Sequence, residues 1–381
     1  MTDNPIIKWN EAGEKKSARW RSETGSPPPK KVIIADDRIT ADIAYRQACE
    51  GTALLWRGDF QNARQLLQAM ARRADEKPRR HKSKPATTAK EAFNLHRQAQ
   101  SQRARTLGML LIPFDADHSI PLRRAPDVRS ACEQVYGIGT EPYITSLRGL
   151  QGLIGAYEWR KNGVEIPALA ARIHPHYGVF APIRSEYVEL VNSAAFPKIM
   201  TAQSIAFDIG TGTGVLAAVL AKRDIQNIVA TDQDQRALQC ARENLDRLGF
   251  ASQVEVRKAD LFPEGRAQLI VCNPPWVPAR PSSPLEFAVF DPDSRMLLEF
   301  LNGLAAHLEP GGEGWLILSD LAEHLGLRSR DELLAAIDST GLKVAAKTDV
   351  KPHHSRVSDT SDPLHGARSA ELTSLWRLVV K

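Results

Sequence analysis

Residues 205–221 read IAFDIGTGTGVLAAVLA. An apolar run containing Asp208 gives way to Gly210, Thr211, Gly212 and Gly214, and then to an alanine- and leucine-rich stretch. This order predicts a strand, a tight loop and a helix. Glycine lets the backbone take positive φ and lets a ligand approach it closely. The spacing is G-x-G-x-G, not the G-x-G-x-x-G of dinucleotide sites. Asp208 would also be a poor neighbour for a pyrophosphate. A carboxylate there suits a ligand ammonium group, held directly or through water. Both features weigh against a dinucleotide oxidoreductase.

The pattern continues outward from this stretch. Apolar strands are expected near 204–208, 227–231, 253–257, 267–272, 314–319, 342–348 and 371–379. Amphipathic helices fill the intervals near 214–222, 234–248, 294–308 and 329–339. In the second of these, Ala237, Leu238, Ala241, Leu245 and Leu248 share one face, and Gly249 stops the helix. Alternation of this kind predicts an α/β domain with a seven-stranded, mostly parallel, doubly wound sheet.

Two more acids fall at expected strand tips. Asp232 ends the second strand, where a carboxylate suits a bidentate grip on ribose hydroxyls. Asp260 follows the third, placed to accept from an adenine amino group with Leu261 against the ring. An aspartate near a strand end is often only a turn former. Three in order are more specific, because parallel strand tips converge on one crevice.

The fourth strand ends in Asn273-Pro274-Pro275-Trp276. Adjacent prolines cannot continue a central strand, and they hold the residue before them extended. The Asn273 side-chain carbonyl and the Pro274 backbone carbonyl are then placed to accept two N–H bonds from a planar amide or amine. Trp276 offers a plate on which such a group can stack.

With these residues in hand, the segment from about 175 to the end resembles the class I S-adenosylmethionine-dependent methyltransferases, Rossmann-like in fold. The resemblance implies that Asp208, Gly210, Thr211, Gly212 and Gly214 embrace the methionine part of S-adenosyl-L-methionine. It implies that Asp232 binds ribose, that Asp260 and Leu261 bind adenine, and that Asn273, Pro274, Pro275 and Trp276 present a nitrogen for methylation. The nearest resemblance is to HemK/PrmC-like "methyltransferase small domain" enzymes. Pro182, Arg184 and Glu186 partly match that family's Pro-Arg-Pro-Glu-Thr-Glu segment, and Trp276 replaces its usual tyrosine. The implied substrate is a glutamine of a translation factor or other ribosome-associated protein. An adenine N6 or guanine N2 amine of RNA or DNA is the alternative, and a non-catalytic RNA- or protein-binding module is a further one.

The rest of the chain is less directive. Residues 1–110 carry about 22 Lys/Arg against about 12 Asp/Glu, so this part is near +10 within a chain of net charge +5. Such a surplus suits an anionic or ribosomal partner. The expected organisation is a flexible lead-in over 1–38, a basic, mainly helical domain over 39–150, a hairpin or linker over 151–183, and the catalytic domain over 184–381. Asn162-Gly163 is a type I′ hairpin signal. Phe60, Ala63, Leu66, Leu67 and Met70 form a helical stripe capped by Asp59, within a stretch read as helical over 40–73, and another helix is expected over 91–108. Residues 76–90 read as a basic linker. Tyr177 and Phe180 are candidate lid residues, and Arg280 with loop 277–293 is expected to face the substrate. The histidines at 174, 176, 353, 354 and 365 match no metal-ligand spacing, and residues 351–371 read as a mobile loop. Four isolated cysteines, no membrane-length apolar run and no signal pattern point to a cytoplasmic protein.

Overall fold

The computed structural model describes residues 5–76, 86–281, 286–352 and 362–381. The chain divides into two compact units, residues up to 85 with 94–158, and residues 86–93 with 159–381.

The first unit contains β1 (Ile6–Glu11), β2 (Glu14–Trp20), β3 (Lys31–Ala35), α1 (Ala41–Cys49), β4 (Thr52–Trp56), α2 (Phe60–Asp75), α3 (Ala89–Leu107), β5 (Leu110–Phe114), α4 (Arg129–Tyr136), β6 (Tyr143–Ser146) and α5 (Leu147–Asn162). The first residues of α3 and the last of α5 belong to the second unit. The six strands form one sheet in the order β1-β2-β6-β5-β4-β3. Helices predominate over 39–150, and the sheet that joins them was not expected; three of its strands lie within residues 6–35. Residues 1–38 are not a loose lead-in, since β1 and β2 form a hairpin that pairs Glu11 with Glu14. Ala12 and Gly13 both take positive φ, the geometry a two-residue primed turn requires. Nor is 40–73 continuous helix. TALLW (β4) is buried at all five positions, as a central parallel strand must be, and Gly51 and Gly58 bracket it. The expected stripe of α2 is buried, and Asp59 caps it by accepting from the Gln61 backbone N–H at 2.8 Å.

The second unit contains β7 (Val164–Ile166), β8 (Ala171–Ile173), α6 (Glu186–Ser193), β9 (Ile205–Ile209), α7 (Val215–Lys222), β10 (Asn227–Asp232), α8 (Gln235–Arg247), β11 (Val254–Lys258), β12 (Ala267–Cys272), α9 (Arg295–His307), β13 (Leu308–Ser319), α10 (Leu321–His324), α11 (Arg330–Ser339), β14 (Leu342–Val350), α12 (His365–Ala370) and β15 (Thr373–Val380). Asn162-Gly163 is not a hairpin turn. It ends α5, with Gly163 in the left-handed region as a C-terminal stop, and the hairpin is formed by β7 and β8 just beyond it. Part of the expected loop 351–371 is helical, as α12, and residues 353–361 lie outside the described residues.

The seven-stranded sheet runs β11-β10-β9-β12-β13-β15-β14. Neighbours pair in parallel from β11 to β13, and β15 is antiparallel to both β13 and β14. Both faces are covered. Ala206, Leu269, Val271, Trp315 and Ile317 join α6, α7 and part of α8 in one core. Phe207, Ile209, Ile270, Leu316 and Leu318 join α9 and α11 in the other. This alternation along each strand is the period of two that splits a continuous apolar run between two layers.

Phe300 of α9 is fully buried in the second core and stacks on Phe262. Phe300→Ala should destabilise the full chain by about 3–5 kcal/mol in chemical denaturation. A loss below about 1 kcal/mol would show that α9 is not packed as described.

Candidate active site

Register brings the strand tips together. Ile209 pairs with both Thr231 and Cys272, and Asp232 pairs with Lys258. The segments after β9, β10, β11 and β12 therefore leave the sheet at one edge, the carboxyl edge where open α/β sheets bind ligands.

The glycine loop is held by its neighbour strand. The Gly210 and Thr211 N–H groups each donate to the Thr231 carbonyl at 2.9 Å. The Gly212 N–H donates to Asp232 Oδ2 at 3.0 Å, and the Asp234 N–H donates to Oδ1 at 2.9 Å. Gly210, Gly212 and Gly214 all take positive φ. A Cβ on Gly214 would press on the Ala241 backbone at 3.2 Å, so this glycine lets α7 and α8 approach. A Cβ on Gly212 would meet nothing within 4 Å. The loop is thus anchored on one side and open on the other.

Asp208 is placed differently from the expectation. It is 1% exposed, and its Oδ2 accepts from Thr211 Oγ1 at 2.6 Å and from the Ala217 N–H at 3.1 Å. It braces the loop and the first turn of α7 from inside the fold, which leaves no room for direct contact with a ligand ammonium. Burial pushes its pKa up to about 6, against the lowering effect of those two donors. Asp232 is half-buried, and burial raises its pKa also, with the Asp234 charge a lesser contributor. The Asp232 carboxylate thus accepts backbone N–H groups on both oxygens, and a carboxylate has about four lone-pair sites in all.

Asp260 is exposed, two residues beyond β11. It accepts from Gln233 Nε2 and lies 4.0 Å from the Arg295 guanidinium. Leu261 beside it is half-buried and takes a positive φ of 69°, while its carbonyl accepts from Thr231 Oγ1 at 2.6 Å. Thr231 therefore ties the glycine loop to the third-strand loop. Nothing in its sequence context marks it for that role.

Asn273 is half-buried at the end of β12, between buried Cys272 and buried Pro274. Its Oδ1 accepts from Trp276 Nε1 at 2.8 Å. Trp276 is not the free plate expected from the sequence. It is half-buried and packs against apolar residues of both cores and of a third cluster, Phe93, Val277, Leu321, Leu325 and Leu364. Phe93 comes from the 86–93 segment, which sequence reasoning assigned to a linker and the basic domain. Tyr177 is half-buried and Phe180 exposed, while Arg280 is exposed. Residues 282–285 of the expected substrate loop, and His353 and His354, lie outside the described residues. His174 and His176 serve the fold. His174 Nδ1 lies 2.6 Å from the Arg160 carbonyl, and His176 Nε2 lies 2.8 Å from Glu243. Among the described residues no group of three His, Cys, Asp or Glu could hold a metal ion, and no helix is long and apolar enough to cross a membrane.

A seven-stranded sheet of this order, with a glycine loop after its first strand and acids after the second and third, is the arrangement that the class I methyltransferase resemblance implies. Residues 171–329 match the family model described as Methyltransferase small domain. The matched stretch holds the glycine loop, Asp232, Asp260 and Asn273-Pro274-Pro275-Trp276, so this part of the chain is similar to a methyltransferase small domain. The chain is 40% identical over 111 residues to the release factor glutamine methyltransferase of Cereibacter sphaeroides, covering 28% of this chain and 36% of the relative. It is 38% identical over 97 residues to the release factor glutamine methyltransferase of Streptococcus pneumoniae, covering 25% and 34%. It is 32% identical over 132 residues to the ribosomal protein L11 methyltransferase of Sorangium cellulosum, covering 35% and 34%. The chain spans about a third of the length of these curated relatives.

The buried Asp208 makes a checkable demand on stability. Its pKa is about 6 in the fold against an ordinary 3.8, so the native state binds the extra proton. Its contribution therefore weakens as pH rises from about 4 to about 6, by roughly 3 kcal/mol at most. In chemical denaturation, the stability difference between Asp208→Asn and the parent should shift in the variant's favour across that window. A difference independent of pH would show that Asp208 does not titrate there.

Proposed function

We propose that the chain is an S-adenosylmethionine-dependent N-methyltransferase acting on the side-chain amide of a glutamine in a translation factor or another ribosome-associated protein. The observation that carries this reading is the position of Asn273-Pro274-Pro275. The motif leaves β12 at the same sheet edge as the glycine loop and Asp232, with Asn273 half-buried. The similarity of the catalytic segment to two enzymes named as release factor glutamine methyltransferases supports the substrate class.

The residues fit the cofactor. Gly212 faces open space where a ligand chain needs close approach. Asp232 offers both oxygens to a ribose diol, and Asp260 with Leu261 offers an acceptor and an apolar surface to adenine. Bound S-adenosylmethionine supplies an electrophilic methyl group on a sulfonium. An amide nitrogen is a weak nucleophile because its lone pair is delocalised. The Asn273 side-chain carbonyl and the Pro274 carbonyl accept its two N–H bonds, which orients the nitrogen and favours positive charge growing on it. Holding the nitrogen in line contributes proximity. The displaced proton leaves to solvent, and no metal or strong base is required.

The basic surplus of residues 1–110 favours a second reading, a nucleobase amine in RNA or DNA. Labelled cofactor added to extract from a strain lacking this protein separates the two. Label in protein supports the amide reading, and label in RNA or DNA alone replaces it. Asp232→Ala should weaken cofactor binding by about 1–3 kcal/mol in calorimetry. Unchanged affinity would remove Asp232 from the site. Asn273→Ala should bind cofactor normally and transfer no methyl, whereas transfer at the parent rate would remove Asn273 from the chemistry.

A further inference from the structure

Trp276 Nε1 is a donor only, so the Asn273 atom facing it at 2.8 Å must be the carbonyl oxygen. The contact settles which way the amide points. It uses one lone pair of Oδ1 and leaves the other for a substrate N–H. The indole is itself held. The guanidinium of Arg184 lies over its ring, 5.7 Å from the centroid. Arg184 Nη1 donates to Glu371 Oε1 at 2.8 Å, and Ser319 Oγ donates to the same oxygen at 2.7 Å. The Glu371 side chain is fully buried, and that of Arg184 is 21% exposed. Ser319 ends β13, and Glu371 lies two residues before β15, which pairs Thr373 with Ser319. A line of contacts thus runs from the centre-right of the sheet to the motif asparagine. A buried carboxylate is costly unless paired and hydrogen-bonded, and here Oε1 has both kinds of partner, while Oε2 is buried without a hydrogen bond.

From this geometry we infer that Trp276 is a positioning residue for Asn273 and that Arg184 and Glu371 are its supports, so the ring orients the asparagine carbonyl and is not the plate on which the substrate lies. The inference rests on the methyl-transfer reading given above. It differs from a stacking role in one measurable respect. Phenylalanine keeps an aromatic plate but has no N–H. A stacking residue tolerates Trp276→Phe, and a positioning residue does not.

The test uses the purified full chain, tritium-labelled S-adenosylmethionine and the protein fraction of extract from a strain lacking this protein. Trp276→Phe should lower the rate at saturating extract by roughly ten- to a hundred-fold, the scale expected when a reacting group is misplaced by about an ångström. The half-saturating extract concentration and the cofactor affinity should change less than about two-fold. Arg184→Met should move the rate in the same direction, and Arg184→Lys, which keeps a cation for Glu371, should restore part of it. A parent rate in Trp276→Phe, or a loss confined to half-saturation, overturns the inference. Indole N–H exchange by NMR gives a readout independent of substrate, the Trp276 resonance being the one missing from Trp276→Phe. Its exchange should quicken in Asn273→Ala and in Arg184→Met, and exchange unchanged in both overturns the inference. If the parent labels no protein, the methyl-transfer reading to protein fails on its own, and the exchange measurement still decides the contact.

Discussion

The site depends on the hydrogen-bonded register of β9 with its two parallel neighbours. Ile209 pairs with Thr231 on one side and with Cys272 on the other. A shift of one residue in either pairing would move the glycine loop away from Asp232 or turn Asn273 to the other face, because side chains alternate along a strand. Burial on both faces makes such a slip expensive. Every residue of β12 except Gln268 is buried, and those of β9 are buried from Ala206 onward. The apolar layers therefore do more than stabilise the unit. They fix which polar groups meet at the carboxyl edge.

How much of this was legible varies along the chain. The strand tips of the catalytic unit could be read because each apolar run is separated from the next by an amphipathic helix with clear stops. Asp232, Gly249 and the Pro-Pro pair each punctuate an element. The first unit was misread for a physical reason. A buried central strand such as β4 carries no alternation, and four consecutive apolar residues, Ala53 to Trp56, between two helices look like part of one. The β1–β2 hairpin turns on Ala12-Gly13, and alanine is an unusual occupant of a position with positive φ.

The site was legible as a list of residues but not as a set of contacts. The sequence placed Asp208, Asp232, Asp260 and Asn273 at strand ends. It did not show that Asp208 is enclosed or that the Trp276 N–H is already used. Enclosure of Asp208 follows from the packing of α7, whose seven residues from Val215 to Ala221 are all buried. Capture of the indole N–H follows from the local turn, since Asn273 and Trp276 are three residues apart across two prolines that fix the backbone. Glu371 and Ser319 gain meaning only through the pairing of β13 with β15, which brings together residues 52 apart in the chain.

Among the described residues of the second unit, five non-glycine residues take positive φ; Ala170 and Asp224 lie elsewhere, and the other three lie in the loops at this edge. Leu261, Asp293 and Ser294 take positive φ without being glycine. For ordinary side chains this costs roughly 1–2 kcal/mol per residue. Specific contacts hold Leu261 and Ser294, the latter accepting at Oγ from Arg328 at 3.3 Å. Thr231 fixes the Leu261 carbonyl, and Ser294 lies immediately before α9, whose Met296 and Leu297 N–H groups donate to buried Asp291 at 3.0 and 3.2 Å. Burial raises the pKa of Asp291 against the lowering effect of those donors, as it does for Asp208. Two enclosed carboxylates and three strained residues are hard to explain as the cheapest way to close a sheet. They make sense if the loops after β9, β11 and β12 must hold one shape before any ligand arrives, as the methyl transfer proposed above would require.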